Sequence, residues 1–168
     1  VILKSNGLEK LGMISHRFTN ENKDLIDEKP PFDYKFKSKK PWLFRGKPVE
    51  SVVTHQGRYL WVTYYRRSFD EMGVEPSAMA IVDTETNQIV RVMGTGSISK
   101  YISVSHNGQW LAVSNWGDNT VGLYDIRGDD PKKFKEAYLL VVEERLSLKN
   151  LKQNRDKDCG FCVRGLEF

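Results

Sequence analysis

Residues 48–65 read PVESVVTHQGRYLWVTYY, residues 77–96 read SAMAIVDTETNQIVRVMGTG, and residues 99–126 read SKYISVSHNGQWLAVSNWGDNTVGLYDI. The stretch Pro48–Ile126 therefore holds one pattern twice. An alternating apolar strand runs into a turn ending in glycine, at Gly57 and Gly108. A second apolar strand follows, Tyr59–Thr63 and Trp110–Ser114, and a third ends in aspartate, at Asp83 and Asp125. The glycines stand 51 residues apart and the aspartates 42, and the difference is the extra loop Arg66–Pro76 of the first copy. Repeats of roughly 40–50 residues made only of short strands are the signature of β-propeller blades, each a four-stranded antiparallel sheet. The fold class expected is all-β, with an incomplete propeller in this chain.

The copies also resemble the YVTN-repeat (YncE-like) family of β-propellers. The residues that carry the resemblance are His55-Gln56-Gly57, Leu60-Trp61-Val62-Thr63 and Ala80-Ile81-Val82-Asp83-Thr84-Glu85-Thr86. In the second copy they are His106-Asn107-Gly108, Leu111-Ala112-Val113-Ser114-Asn115 and Val121-Gly122-Leu123-Tyr124-Asp125. The resemblance covers about half of the chain. It implies a propeller and only weakly a bacterial envelope location, since propellers host unrelated activities.

A propeller closes with roughly four to eight blades, and only two are complete in these 168 residues. The last five, Arg164-Gly165-Leu166-Glu167-Phe168, align with Lys100-Tyr101-Ile102-Ser103-Val104, the first strand of a blade. The chain is therefore expected to be a piece of a longer polypeptide, because two blades alone leave strand edges and half a core open. Four parts follow: 1–47, the end of a preceding blade plus a basic and aromatic connector; 48–96, a blade with a loop insertion; 97–142, a blade and its outer strand; 143–168, a long loop and the start of the next blade. Near the start, Asn6-Gly7 between apolar runs signals a hairpin, and 22–26 suggests a helical turn.

Composition, 39% hydrophobic and 29% charged, suits a globular protein, and no apolar run reaches the roughly 18–20 residues of a membrane span. Within the net charge of +4, basic residues concentrate at Lys35, Lys37, Lys39, Lys40, Arg45 and Lys47, among Phe36, Trp42 and Phe44. A nucleic-acid or anionic-surface patch has that composition. A solvated strand has it too and is preferred, since charge runs usually just face water.

Cys159-Gly160-Phe161-Cys162 is the one motif with chemical character. It reads as a local disulfide, as free thiols, as half of a zinc site or as a redox pair. The disulfide is preferred, because the βαβ unit of a redox pair is absent from the pattern and zinc needs two further ligands. A disulfide would place the protein outside the cytoplasm. The glycines of Gly94–Lys100 lack phosphate-loop spacing. Asp83 and Asp125 are read as turn formers, His55 and His106 as a repeat feature, and Trp61 and Trp110 as filling between blades. No catalytic residue, metal ligand or cofactor site is assigned.

Loops longer than a repeat requires are where propellers carry specificity. Tyr65, Arg66, Arg67, Phe69 and Asp70 are accordingly the first candidates for contact with a protein partner, with Trp116 at the matching turn of the second copy, and 149–162 as a further loop. The function expected is a non-enzymatic interaction or scaffold module of an exported, periplasmic or cell-surface protein. The alternative is a propeller enzyme, lactonase-like or a quinoprotein or haem oxidoreductase, with its site in other blades.

Overall fold

Alternation of β-branched and aromatic residues with small or polar ones builds strands, and here it builds almost nothing else. The computed structural model describes residues 2–3, 10–18, 22–27, 44–45, 47–65 and 76–142. Four short strands come first: β1 (Ile2–Leu3), β2 (Lys10–Gly12), β3 (Arg17–Phe18) and β4 (Phe44–Arg45). The first sheet is β5 (Pro48–Thr54), β6 (Tyr59–Tyr64), β7 (Pro76–Asp83) and β8 (Gln88–Ser97). The second is β9 (Ser99–Val104), β10 (Trp110–Asn115), β11 (Thr120–Asp125) and β12 (Lys135–Val141). Each runs in simple antiparallel order, with neighbours in sequence paired in space. The chain is all-β, and the paired meanders are the form expected of consecutive propeller blades. β1 and β2 pair antiparallel, as a hairpin requires, while Asn6-Gly7 themselves lie outside the described residues, and Lys23–Leu25 forms a single 3-10 turn.

The two sheets stack with β5 alongside β9. Alternation gives the first sheet two apolar faces. One carries Tyr59, Trp61, Met79 and Ile81 and packs on Ile102, Leu111, Val113 and Tyr124 of the second sheet. The other carries Val62, Tyr64, Ala78, Ala80 and Val92 and is covered by Phe18 and Ile26 from the N-terminal segment. Ile26 also bridges Val92 in parallel, and the Asp27 amide donates to the Val92 carbonyl at 2.9 Å. This addition occupies part of the β8 edge, which an open sheet leaves as a template for pairing.

The joint between the sheets has a feature that the sequence pattern did not disclose. Residues 126–134, which lie at and beyond the end of the repeated pattern, sit against the first sheet. Phe134 is buried and its ring lies 5.2 Å from that of His55, 5.6 Å from Trp61 and 6.0 Å from Tyr59. Polar bonds frame it: the Tyr59 hydroxyl donates to the Asp129 carbonyl at 2.6 Å, and His55 Nε2 donates to the carbonyls of Gly128 and Ile126 at 2.8 and 3.0 Å. His55 Nδ1 accepts from Thr54 Oγ1 at 2.8 Å, and Thr54 Oγ1 accepts from Trp61 Nε1 at 2.9 Å. Arg91 completes the frame, with its guanidinium on both oxygens of Asp27 and on the carbonyls of Pro131 and Phe134, each at 2.6 Å.

Two expectations are amended. Trp61 does fill the space between the sheets, but Trp110 alternates to the opposite side, away from the joint, where it lies beneath Arg127 and beside Tyr138. His55 is a structural clamp, whereas His106 at the equivalent turn is exposed. Replacing Phe134 by alanine empties the centre of the joint. Loss of about 3–5 kcal/mol is expected, read as a lowered urea midpoint. Tyr138→Ala on the open side should cost far less.

Candidate functional site

The strand order sends the connection 65–76, the link at Ile98 and the turn Trp116–Asn119 to one end of the sheets. The remaining turns lie at the other end. The first end is where insertion length and aromatic content pointed, and its foundation is polar. Ser77, Thr95, Ser99, Ser114 and Asn115 are fully buried there. Buried hydroxyls and amides are tolerated when they are hydrogen-bonded: Ser114 Oγ accepts the Tyr101 amide at 3.2 Å, Thr95 Oγ1 pairs with Ser99 Oγ, and the rest join Thr120 and Asp118 in a continuous chain. Ser77 Oγ donates to the Tyr65 carbonyl at 2.9 Å and accepts the Ser99 amide at 3.4 Å. Ser99 Oγ donates to Asn115 Oδ1 at 2.8 Å, and Asn115 Nδ2 donates to Thr120 Oγ1 at 2.9 Å. Thr120 Oγ1 donates to Asp118 Oδ1 at 2.7 Å, and the other Asp118 oxygen accepts the Ser97 amide at 2.8 Å. The chain of bonds runs from the root of the insertion in one sheet to the turn of the other.

The link between the sheets is a single residue, Ile98, with φ of 52°. A β-branched residue in the left-handed region is strained. It is held there by the Trp116 amide on the Ile98 carbonyl at 2.9 Å and the Gly117 amide on the Ser97 carbonyl at 2.8 Å. Gly96 is required beside it: a Cβ at that position would stand 2.6 Å from atoms of both Asn115 and Asp118.

On this floor sits a cation between two rings. Lys100 Nζ lies 3.0 Å from the centroid of the Trp116 ring and 5.8 Å from that of Tyr65. Tyr65 and Trp116, proposed from sequence as partner contacts in separate blades, are thus brought together, and the residue joining them is one that the sequence pattern had not singled out. Its place beside the two rings arises only from the stacking of the sheets through the one-residue link at Ile98, two positions before it. All three side chains are half-buried. An ammonium over an indole face gains about 0.5–2 kcal/mol according to its exposure. Arg66, Arg67, Phe69 and Asp70 lie outside the described residues, as do Cys159, Cys162 and the basic run from Lys35 to Trp42.

The opposite end is built of closed turns. Asp83 accepts the amides of Glu85 and Thr86 at 2.9 and 3.1 Å and the Arg58 guanidinium at 2.8 Å. Burial alone would raise its pKa, but the two amides and Arg58 outweigh it and the carboxyl titrates below the usual range. Asp125 is held down to about 2 by the Arg127 side chain and amide. Both are ionised turn formers.

A cavity of about 210 Å³ opens between the outer strands and is lined by Asp27, Arg91, Met93, Gly94, Tyr124, Lys135 and Glu136. The Tyr124 hydroxyl donates to the Gly94 carbonyl at 3.3 Å, while Glu136 Oε1 is buried with no hydrogen-bond partner among the described residues. Burial raises the Glu136 pKa, the Asp118 charge adds to this, and the nearby Tyr124 hydroxyl offsets it only in part. Among the described residues no group of three or more His, Cys, Asp or Glu could hold a metal ion, and no helix is long and apolar enough to cross a membrane.

Gly96→Ala should cost about 1–3 kcal/mol through overpacking, with a shift of the Trp116 indole resonance as the local sign that the turn has moved. For Glu136 the folded pKa lies above the unfolded one, so its ionisation disfavours the fold as pH rises past the carboxylate range. Glu136→Gln should therefore raise the thermal midpoint at pH 7, and the gain should vanish below pH ~4.

No model of a known protein family matches this chain, and no curated protein matches it significantly. The site rests on its own geometry: a lysine between two rings from successive sheets, on a rigid polar floor.

Proposed function

We propose that the chain is a pair of blades from a YVTN-like β-propeller and serves as a non-enzymatic interaction module, binding a protein partner at the end that carries Tyr65, Lys100 and Trp116. The observation that carries the proposal is the Tyr65–Lys100–Trp116 stack at the root of the 66–75 connection. Tyr and Trp, held rigid and amphipathic, are the side chains that dominate binding energy at protein interfaces, and they lose little entropy when a partner arrives. The hydrogen-bonded floor supports this by fixing both rings before binding, which lowers the cost of association. Lys100 adds a positive charge, which favours a partner with an acidic or carbonyl-rich contact. Export to a bacterial envelope is supported by the Cys159–Cys162 pair and by the resemblance.

The proposal is tested by co-purification from bacterial envelope extract with the wild-type chain and with the Trp116→Ala and Lys100→Ala variants. One partner band should be retained by the wild type. Trp116→Ala should weaken it by about 2 kcal/mol or more, roughly thirtyfold in Kd, as for a central interface residue. Retention of the same bands by all three proteins, each with a native circular dichroism spectrum, would rule out this surface.

A further inference from the structure

We infer that the cavity between the outer strands is a binding site for a small organic cation, a primary ammonium on a short apolar body, with Glu136 as its counter-ion. The internal repeat marks this cavity as more than a packing fault. The β7–β8 and β11–β12 pairs share one register and one irregularity, so their residues correspond pair by pair. Where the first sheet sets Val82 opposite Ile89, the second sets Tyr124 opposite Glu136. Where the first has Ala80, the second has Gly122. An apolar pair fills these places in the first sheet, with Val82 buried and Ile89 packed on the cluster of Phe18 and Ile26. The second sheet carries a phenol and a carboxyl there instead, and a buried carboxylate is costly unless it is matched.

Gly122 makes the room for that pair. A Cβ there would stand 2.9 and 3.0 Å from Cε2 and the hydroxyl of Tyr124, and 3.2 Å from Glu136 Oε1. The Tyr124 hydroxyl donates to the Gly94 carbonyl, and Glu136 Oε1 is buried with no partner among the described residues. The other charges of the lining are already engaged. Arg91 is bound to both oxygens of Asp27 and to the carbonyls of Pro131 and Phe134. Lys135 stands opposite Asp125, and its charge helps to keep that carboxyl ionised. What the cavity lacks is a donor of positive charge for Glu136. Its walls set the rest of the ligand: Met93 is apolar, and the ring of Tyr124 attracts an ammonium as well as an alkyl chain. At about 210 Å³ the space lies below drug-sized pockets of roughly 300 Å³ and above the roughly 150 Å³ that accepts benzene. A metal ion fits less well, because among the described residues no three His, Cys, Asp or Glu converge.

The test is titration of the 168-residue chain with n-butylammonium, followed by amide NMR spectra at constant ionic strength. Butanol and butyrate serve as neutral and anionic probes of the same length. Saturable shifts centred on Gly94, Gly122 and Glu136 are expected from the ammonium, with binding at least tenfold weaker for butanol and none for butyrate. Glu136→Gln, which keeps the shape of the side chain, should weaken the ammonium at least tenfold. Equal binding of ammonium and butanol, or shifts that never saturate, would overturn the proposal and leave a cavity that holds water. An equal response to potassium ions would assign the place to an inorganic cation and overturn it too. Unchanged ammonium affinity in Glu136→Gln would remove the counter-ion and the proposal with it. The comparison of probes uses the wild-type chain alone, so it decides the charge preference whatever the substitution does to the fold.

Discussion

The structure depends on one buried ring. Two antiparallel sheets of this size have flat, half-apolar faces that could slide over one another, because hydrophobic burial is not directional. Phe134 removes that freedom. It enters the space between His55, Tyr59 and Trp61, and the bonds from His55 and Tyr59 to the carbonyls of 126–129 fix how far it enters. Burial supplies most of the energy, and the polar frame supplies the register. Neither alone specifies one relative placement of the sheets.

The second organising constraint is the brevity of the link at Ile98. With one residue between β8 and β9, the sheets meet at that end whether or not side chains favour it. The buried groups there are serines, threonines and asparagine, small enough to permit the approach and able to bond across it. The joint is therefore apolar in the middle and polar at the linked end. The surface proposed for binding belongs to its polar, rigid end.

Much of this was legible in the sequence, for physical reasons that differ by element. Strand identity and the antiparallel order followed from period-two alternation and from turn residues at Gly57 and Gly108, which are local signals. Asp83 and Asp125 as turn formers followed from the same locality. What was not legible depended on contacts distant along the chain. Phe134 sits in a polar stretch, and nothing near it in sequence announces its partners His55, Tyr59 and Trp61. Trp110 holds the place of Tyr59 in the repeat, on the same face as Trp61, but in the second sheet that face is turned away from the joint, which strand periodicity does not reveal. Lys100 carried no motif, and its position between Tyr65 and Trp116 exists only once two sheets are stacked. The loop from Arg66 to Asp70, chosen for its composition, lies outside the described residues.

Arg91 belongs to β8, yet its guanidinium is shared by the N-terminal segment at Asp27 and by the second sheet at Pro131 and Phe134. One planar cation thus makes the cover of the β8 edge and the docking of the second sheet thermodynamically linked. Detaching either partner leaves charge or carbonyls without their match and weakens the other. Local opening at the N-terminal segment is therefore not a private event of that segment. It propagates as reduced cooperativity between the sheets, and the chain ahead of the first repeat acts as a latch on the joint that follows it.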